Sequence, residues 1–129
     1  MRPLVLASLL SATVLVPGWG GDPATPACVV PQAPGAGVNT GTRLIFWDPV
    51  PGAASYNFYL RAVEGCDMLD STQHLSAADL RTGNVRSPLD ISAFDRCHTC
   101  YYFNITAVDG TCESRLDGGA IGFTLGPCR

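Results

Sequence analysis

The chain has 129 residues, of which 47% are hydrophobic, and carries a formal net charge of −3. Its eight basic residues are all arginine and are scattered singly, so no patch exists to neutralise a phosphate backbone, which argues against nucleic acid as a partner. A chain of this length has room for one domain with a small core.

The N-terminus reads as a leader. Met1 and Arg2 form a short positive region, Leu4 to Val16 an uncharged apolar run, and Pro17-Gly18-Trp19-Gly20 a breaker with small residues where a signal peptidase needs them. This predicts a signal peptide over residues 1–20, cleaved after Gly20, and a secreted, periplasmic or extracellular product. The apolar run is shorter than the roughly 20 residues that cross a bilayer, and nothing later is longer or more apolar, so no membrane span is expected. Acylation of Cys28 as a lipoprotein is disfavoured, because Thr25 stands where that processing needs an apolar residue.

Residues 21–37 read as an N-terminal segment with an edge strand at Val29-Val30, between prolines that cannot donate to a ladder. Pro34-Gly35-Ala36-Gly37 reads as a flexible turn, and residues 38–129 as the folded domain. Arg43 to Trp47 is a β-type run closed by Asp48-Pro49-Val50-Pro51-Gly52, in which Pro51-Gly52 fits the central positions of a type II turn. In the next run Tyr56, Phe58 and Leu60 share one face. The stretch Asp67 to Asp90 shows no clear period; Ser76-Ala77-Ala78-Asp79 fits a capped helical turn, and a loop with short strands fits equally. From Tyr101 to Ala107 the alternation is clean, with Tyr101, Phe103, Ile105 and Ala107 inward and Tyr102, Asn104 and Thr106 outward. Asp109-Gly110 marks a hairpin, and Ile121 to Leu125 alternates again. No 3.6-residue period of useful length appears, so the fold class is all-β, a sandwich.

The run Leu44 to Tyr59 resembles the B strand, B–C turn and C strand of a fibronectin type III domain, with Trp47 as the core tryptophan and Tyr56 as the first inward residue of strand C. Tyr101 to Ser114 is similar to that family's F strand and F–G loop, with Tyr101 at the tyrosine-corner position. The resemblance implies a seven-stranded antiparallel β-sandwich of fibronectin type III or immunoglobulin-like architecture. It also implies the placing of the six cysteines, which are not typical of the family. Cys28 and Cys112 would share one pole and bond each other. Cys66, Cys97, Cys100 and Cys128 would share the other, with Cys100–Cys128 and Cys66–Cys97 favoured over the swapped pairing. Each bridge would contribute roughly 2–4 kcal/mol.

Candidate chemistry is sparse. Cys97-His98-Thr99-Cys100 has Cys-x-x-Cys spacing, which lets a thiol attack a disulfide, but such motifs open a helix and here a strand follows. A zinc site from Cys66, Cys97, Cys100 and Cys128 is conceivable at one pole, yet an exported chain meets an oxidising compartment. His74 and His98 lie apart and read as structural. Ser55, Ser71 and Ser92 lack the glycine context of a nucleophile elbow. Asp67, Asp70, Asp79, Asp90 and Asp95 lack the spacing of a calcium loop. Asn104-Ile105-Thr106 is a glycosylation sequon on the outer face. Tyr59 and Tyr102 read as ordinary sheet-surface residues.

No catalytic residue, metal or cofactor is expected. The resemblance implies a non-catalytic extracellular binding or structural module that contacts a protein or polysaccharide through the loops Asp48 to Ser55 and Asp109 to Gly119, in adhesion or scaffolding. The alternatives are a thiol-disulfide oxidoreductase using Cys97 and Cys100, and an accessory subunit docking through outward Leu44, Phe46 and Tyr59.

Overall fold

A computed structural model describes residues 29–94, 97–116 and 119–126. The leader, its cleavage point, Cys28, Asp95 and Cys128 lie outside the described residues.

The chain is all-β. Its strands are β1 (Ala36–Asn39), β2 (Leu44–Trp47), β3 (Ser55–Glu64), β4 (Leu80–Thr82), β5 (Leu89–Asp90), β6 (Thr99–Asp109), β7 (Cys112–Glu113) and β8 (Ile121–Thr124). One sheet has the order β1-β2-β5 and the other β4-β3-β6-β7, with β8 also on β6, and all pairings are antiparallel. Among the described residues no helix is long and apolar enough to cross a membrane.

The sheets enclose a core of Ile45, Trp47, Phe58, Tyr101, Phe103, Ile105 and Phe123 with their neighbours. Alternation dictates this, since every second residue of β3 and β6 must point inward. The β3–β6 ladder is the spine, running without a break from Ser55 opposite Val108 to Glu64 opposite Thr99. At the turn before β3, Ala53 N–H donates to Val50 O at 3.1 Å and Gly52 sits at φ 84°. That is the type II geometry expected of Pro51-Gly52.

Four expectations need correction. Among the described residues the strands number eight, not seven, because the last edge of the larger sheet is broken: β7 and β8 both pair with β6, and Ser114, Arg115, Leu116, Gly119 and Ala120 between them belong to no strand. Leu116 and Ala120 account for the break, since they pack instead onto the sheet's outer face. Second, Val29-Val30 forms no strand, and the first among the described residues is β1, which includes Ala36 and Gly37 of the supposed turn. Gly37 belongs there because a Cβ on it would come within 2.8 Å of the ring of Phe46, its cross-strand partner.

Third, Tyr59 and Tyr102 do point away from the main core, but they are not surface residues: they are 3% and 1% exposed. The segment 65–79 crosses over them as a strap and forms a second cluster of Tyr59, Leu75, Cys100 and Tyr102, flanked by Val63, Cys66, Leu116 and Ala120. The strap is tied down by Asp70 N–H donating to the Tyr102 phenol oxygen at 2.8 Å and by Ala120 N–H donating to Gln73 O at 3.1 Å. It ends in one 3₁₀ turn, Ala77–Asp79, capped by Ser76 with Asp79 reaching back to the Ser76 N–H. The outward trio is therefore incomplete: Tyr59 is covered, Leu44 half-buried and Phe46 exposed. The fourth correction concerns the cysteine pairing and is given with the site.

Candidate binding cleft

On its β3 side β6 is paired at ten consecutive positions, Thr99 to Val108. On its other side β8 covers Cys100 to Phe103 and β7 covers Val108 and Asp109. Ser114 adds a bond at Ala107, so among the described residues no strand pairs with Asn104–Thr106 on this side. A cleft of about 600 Å³ opens at that position. Asn104, Ile105, Arg115, Gly119 and Ile121 line one side, and the N-terminal segment Val30 to Ala36 lines the other. Asn104 and Ile105 point to opposite faces of the sheet, so only an opening at the strand's edge can touch both. Pro31 is buried against this opening, while Val30 stays exposed at its rim.

Beside the cleft sits a polar cluster that the sequence reading missed. Glu113 Oε2 accepts from the Tyr59 phenol, from Thr106 Oγ1 at 2.5 Å and from Asn57 Nδ2 at 3.1 Å. Burial pushes the Glu113 carboxyl up, but the hydroxyls of Thr106 and Tyr59 and the amide of Asn57 outweigh it and hold the group below its ordinary range. The Tyr59 phenol is raised, first by burial and then by its hydrogen bond to Glu113 and the charge there. A carboxylate kept ionised by three donors from its own sheet is a strut, ill suited to give or take a proton near neutrality. The hairpin at Asp109-Gly110 was the available clue, because it sets Glu113 opposite Val108, on the face of Thr106 and, across β3, of Asn57 and Tyr59.

From β3, Arg61 reaches the strap and bonds both Asp79 oxygens, at 3.3 and 2.7 Å, and Gln73 Oε1 at 3.0 Å. The Arg61 guanidinium holds the Asp79 carboxyl below its usual value against the opposing effect of burial. Asp70 is lowered by the Thr72 hydroxyl and Asp90 by the Ser92 N–H, so these carboxylates brace turns.

The favoured cysteine pairing is corrected: Cys66 bonds Cys100, with Cα atoms 5.6 Å apart. The register explains it, because Val63 lies opposite Cys100 and the chain turns back at Gly65, at φ 74°, so that Cys66 N–H donates to His98 O. Cys66 is thereby brought back over the outward-pointing Cys100. Cys97 and Cys112 are also in disulfides. They stand beyond opposite ends of the eleven-residue β6, about 33 Å long at 3.3 Å per residue, so they do not bond each other. A Cys28–Cys112 bridge lies outside the described residues, as does any bond to Cys128. Cys97 and Cys100 thus belong to separate disulfides, and Cys66 and Cys100 offer no thiolates to a metal in this state.

The remaining candidates are scattered. His98, at φ 58°, stands 3.4 Å from Asp67 on the exposed turn before β6, while His74 lies on the strap. Asn104 lines the cleft, and Thr106 of its sequon is fully buried with its hydroxyl given to Glu113. The loop Asp109 to Gly119 contributes Arg115 and Gly119 to the cleft. The loop Asp48 to Ser55 borders a separate hollow of about 350 Å³ with Trp47, Tyr56 and Arg86. Compared with protein families, with curated proteins and with solved structures, the chain matches none at a significant level.

Proposed function

We propose that the chain is an exported, non-catalytic module of fibronectin type III type that makes contacts with a partner outside the cell. The observation that carries this reading is the cleft at the broken edge of β6, a concave aliphatic site whose size falls in the roughly 300–1,000 Å³ usual for ligand sites. The Glu113, Asp79 and Cys66–Cys100 groups around the sheet are engaged in holding the fold.

Support for the family comes from three features. The second and third strands lie in different sheets, joined by the Pro51-Gly52 turn. The rings of Trp47 and Tyr56 pack at 5.6 Å. Tyr101 donates its hydroxyl to Phe94 O at 2.8 Å, the upstream backbone bond of a tyrosine corner. Export is supported by the leader-like N-terminus and by disulfides among the described cysteines. A dithiol oxidoreductase would need Cys97 and Cys100 to bond each other, and they do not.

The test is binding of the purified, disulfide-intact protein to an array of surface polysaccharides and to extracellular proteins of the producing cell, alongside reduction of insulin disulfides. Saturable binding without insulin reduction is expected. Insulin turnover with no binding would overturn the reading.

A further inference from the structure

We propose that the cleft beside Asn104–Thr106 takes an extended polypeptide segment, which adds to β6 as a strand in the gap between β7 and β8. This rests on the reading of the chain as a binding module and names the class of partner that its cleft accepts.

Backbone alternation fixes which groups of β6 face the gap. Ser114 N–H donates to Ala107 O at 2.8 Å and Ala107 N–H donates to Ser114 Oγ at 2.9 Å, so the backbone groups of Ala107 point to this edge. Two residues earlier, those of Ile105 point the same way. The ladder resumes at Phe103 opposite Ile121 on one side and at Val108 opposite Glu113 on the other. An interrupted edge of this kind is a template for one more strand, whose main chain supplies hydrogen bonds and whose alternate side chains enter the pockets beside it.

Packing holds the gap open. Leu116 and Ala120 are anchored in the cluster under the strap, and Ala120 N–H bonds Gln73 O. Leu116 and Ala120 would have to give up those contacts for the ladder to close. The lining chooses between a polypeptide and a polysaccharide. Val30, Pro31, Pro34, Ile105 and Ile121 make aliphatic walls, and the lining residues include no aromatic ring on which a sugar could stack. Aliphatic walls beside an open main-chain edge match an apolar strand.

The test pans a random-heptapeptide library on the disulfide-intact protein, then measures affinity and amide exchange with the enriched peptides. Peptides with alternating apolar residues are expected, slowing exchange of the Ile105 N–H by about tenfold or more. Gly35→Trp should weaken them by about tenfold. Gly35 is exposed, lines the cleft, and has nothing within 4 Å of an added Cβ, so the bulk projects without distorting the backbone. Ala33→Arg offers the same block from a second exposed position, and Arg86→Ala, at the separate hollow, should leave binding unchanged. Failure to enrich any peptide, protection elsewhere than Ile105, or full affinity in both blocked variants would overturn strand docking. If the array or the extracellular proteins still bind the Gly35→Trp protein fully, strand docking fails and the module reading stands. Insulin turnover without binding removes the module reading itself.

Discussion

Thr106, fully buried in the middle of β6, donates its hydroxyl to Glu113 Oε2 on β7 at 2.5 Å. That same oxygen gathers Asn57 and Tyr59 from β3, so a single carboxylate ties together three strands of the larger sheet. Replacing Glu113 with Ala leaves the Thr106 hydroxyl buried without an acceptor, at a cost of about 1–3 kcal/mol. The sign of the pH dependence follows from the lowered carboxyl. The stabilisation is complete above about pH 4.3, the ordinary glutamate value, and is lost as the pH falls through the lower value in the fold. Thermal midpoints of the wild type and Glu113→Gln, measured from pH 7 to 3, should differ most at neutrality and converge in acid. A gap that widens on acidification would show that the carboxylate does not brace the sheet.

Cys66 and Cys100 close a loop with a sequence separation of 34, and that loop contains the strap. Chain-entropy arguments put the bridge at roughly 3–4 kcal/mol. The double variant Cys66→Ala/Cys100→Ala should shift the denaturation midpoint accordingly and make residues 67–79 the first site of proteolysis. Peptide mapping of the wild type should recover Cys66 joined to Cys100 and no link between Cys97 and Cys112. Recovery of Cys66 joined to Cys97 would overturn the pairing.

The main core was legible in the sequence because it rests on local alternation: Tyr101, Phe103, Ile105 and Ala107 point inward as the pattern of two demands, and Pro51-Gly52 makes its turn from local preferences alone. The strap was not legible. Its course depends on Tyr102 and Ala120, far along the chain, and neither leaves a period in residues 67–79. The cysteine pairing turned on a back-turn at Gly65, which no spacing rule supplies. The cleft is the space left where Leu116 and Ala120 pull away from a ladder, and a missing strand partner has no residue to announce it. Glu113 was within reach, had its cross-strand neighbours been paired from the hairpin outward.

Two glycines separate backbone need from mere tolerance. Gly52 sits at φ 84°, so Gly52→Ala should cost about 1–2 kcal/mol through strain even though an added Cβ meets nothing within 4 Å. Gly35 has the same open space without a positive φ, and Gly35→Ala should be neutral or stabilise by about 0.4–1 kcal/mol by restricting the unfolded chain. Equal midpoints for the two variants in chemical denaturation would contradict the turn geometry.

Arg61 holds the far end of the strap through Asp79 and Gln73, but its side chain is 35% exposed against 14% for Asp79. Solvent screens such a pair, and Arg61→Ala should lower global stability by only about 1 kcal/mol or less. Its larger effect is local. With the guanidinium gone, the strap keeps its Cys66 staple and the bonds to Tyr102 and Ala120 but loses the anchor that draws the 3₁₀ turn onto β3. Amide exchange should quicken from Gln73 to Asp79 while β6 stays protected. In the wild type the same segment should loosen in acid, because the lowered Asp79 carboxyl supports the pair above its ordinary value, near pH 3.9, and ceases to as the pH falls through the value in the fold. Exchange that rises equally in β6 and the strap would mean that the two unfold as one unit, and that the second cluster is part of the main core.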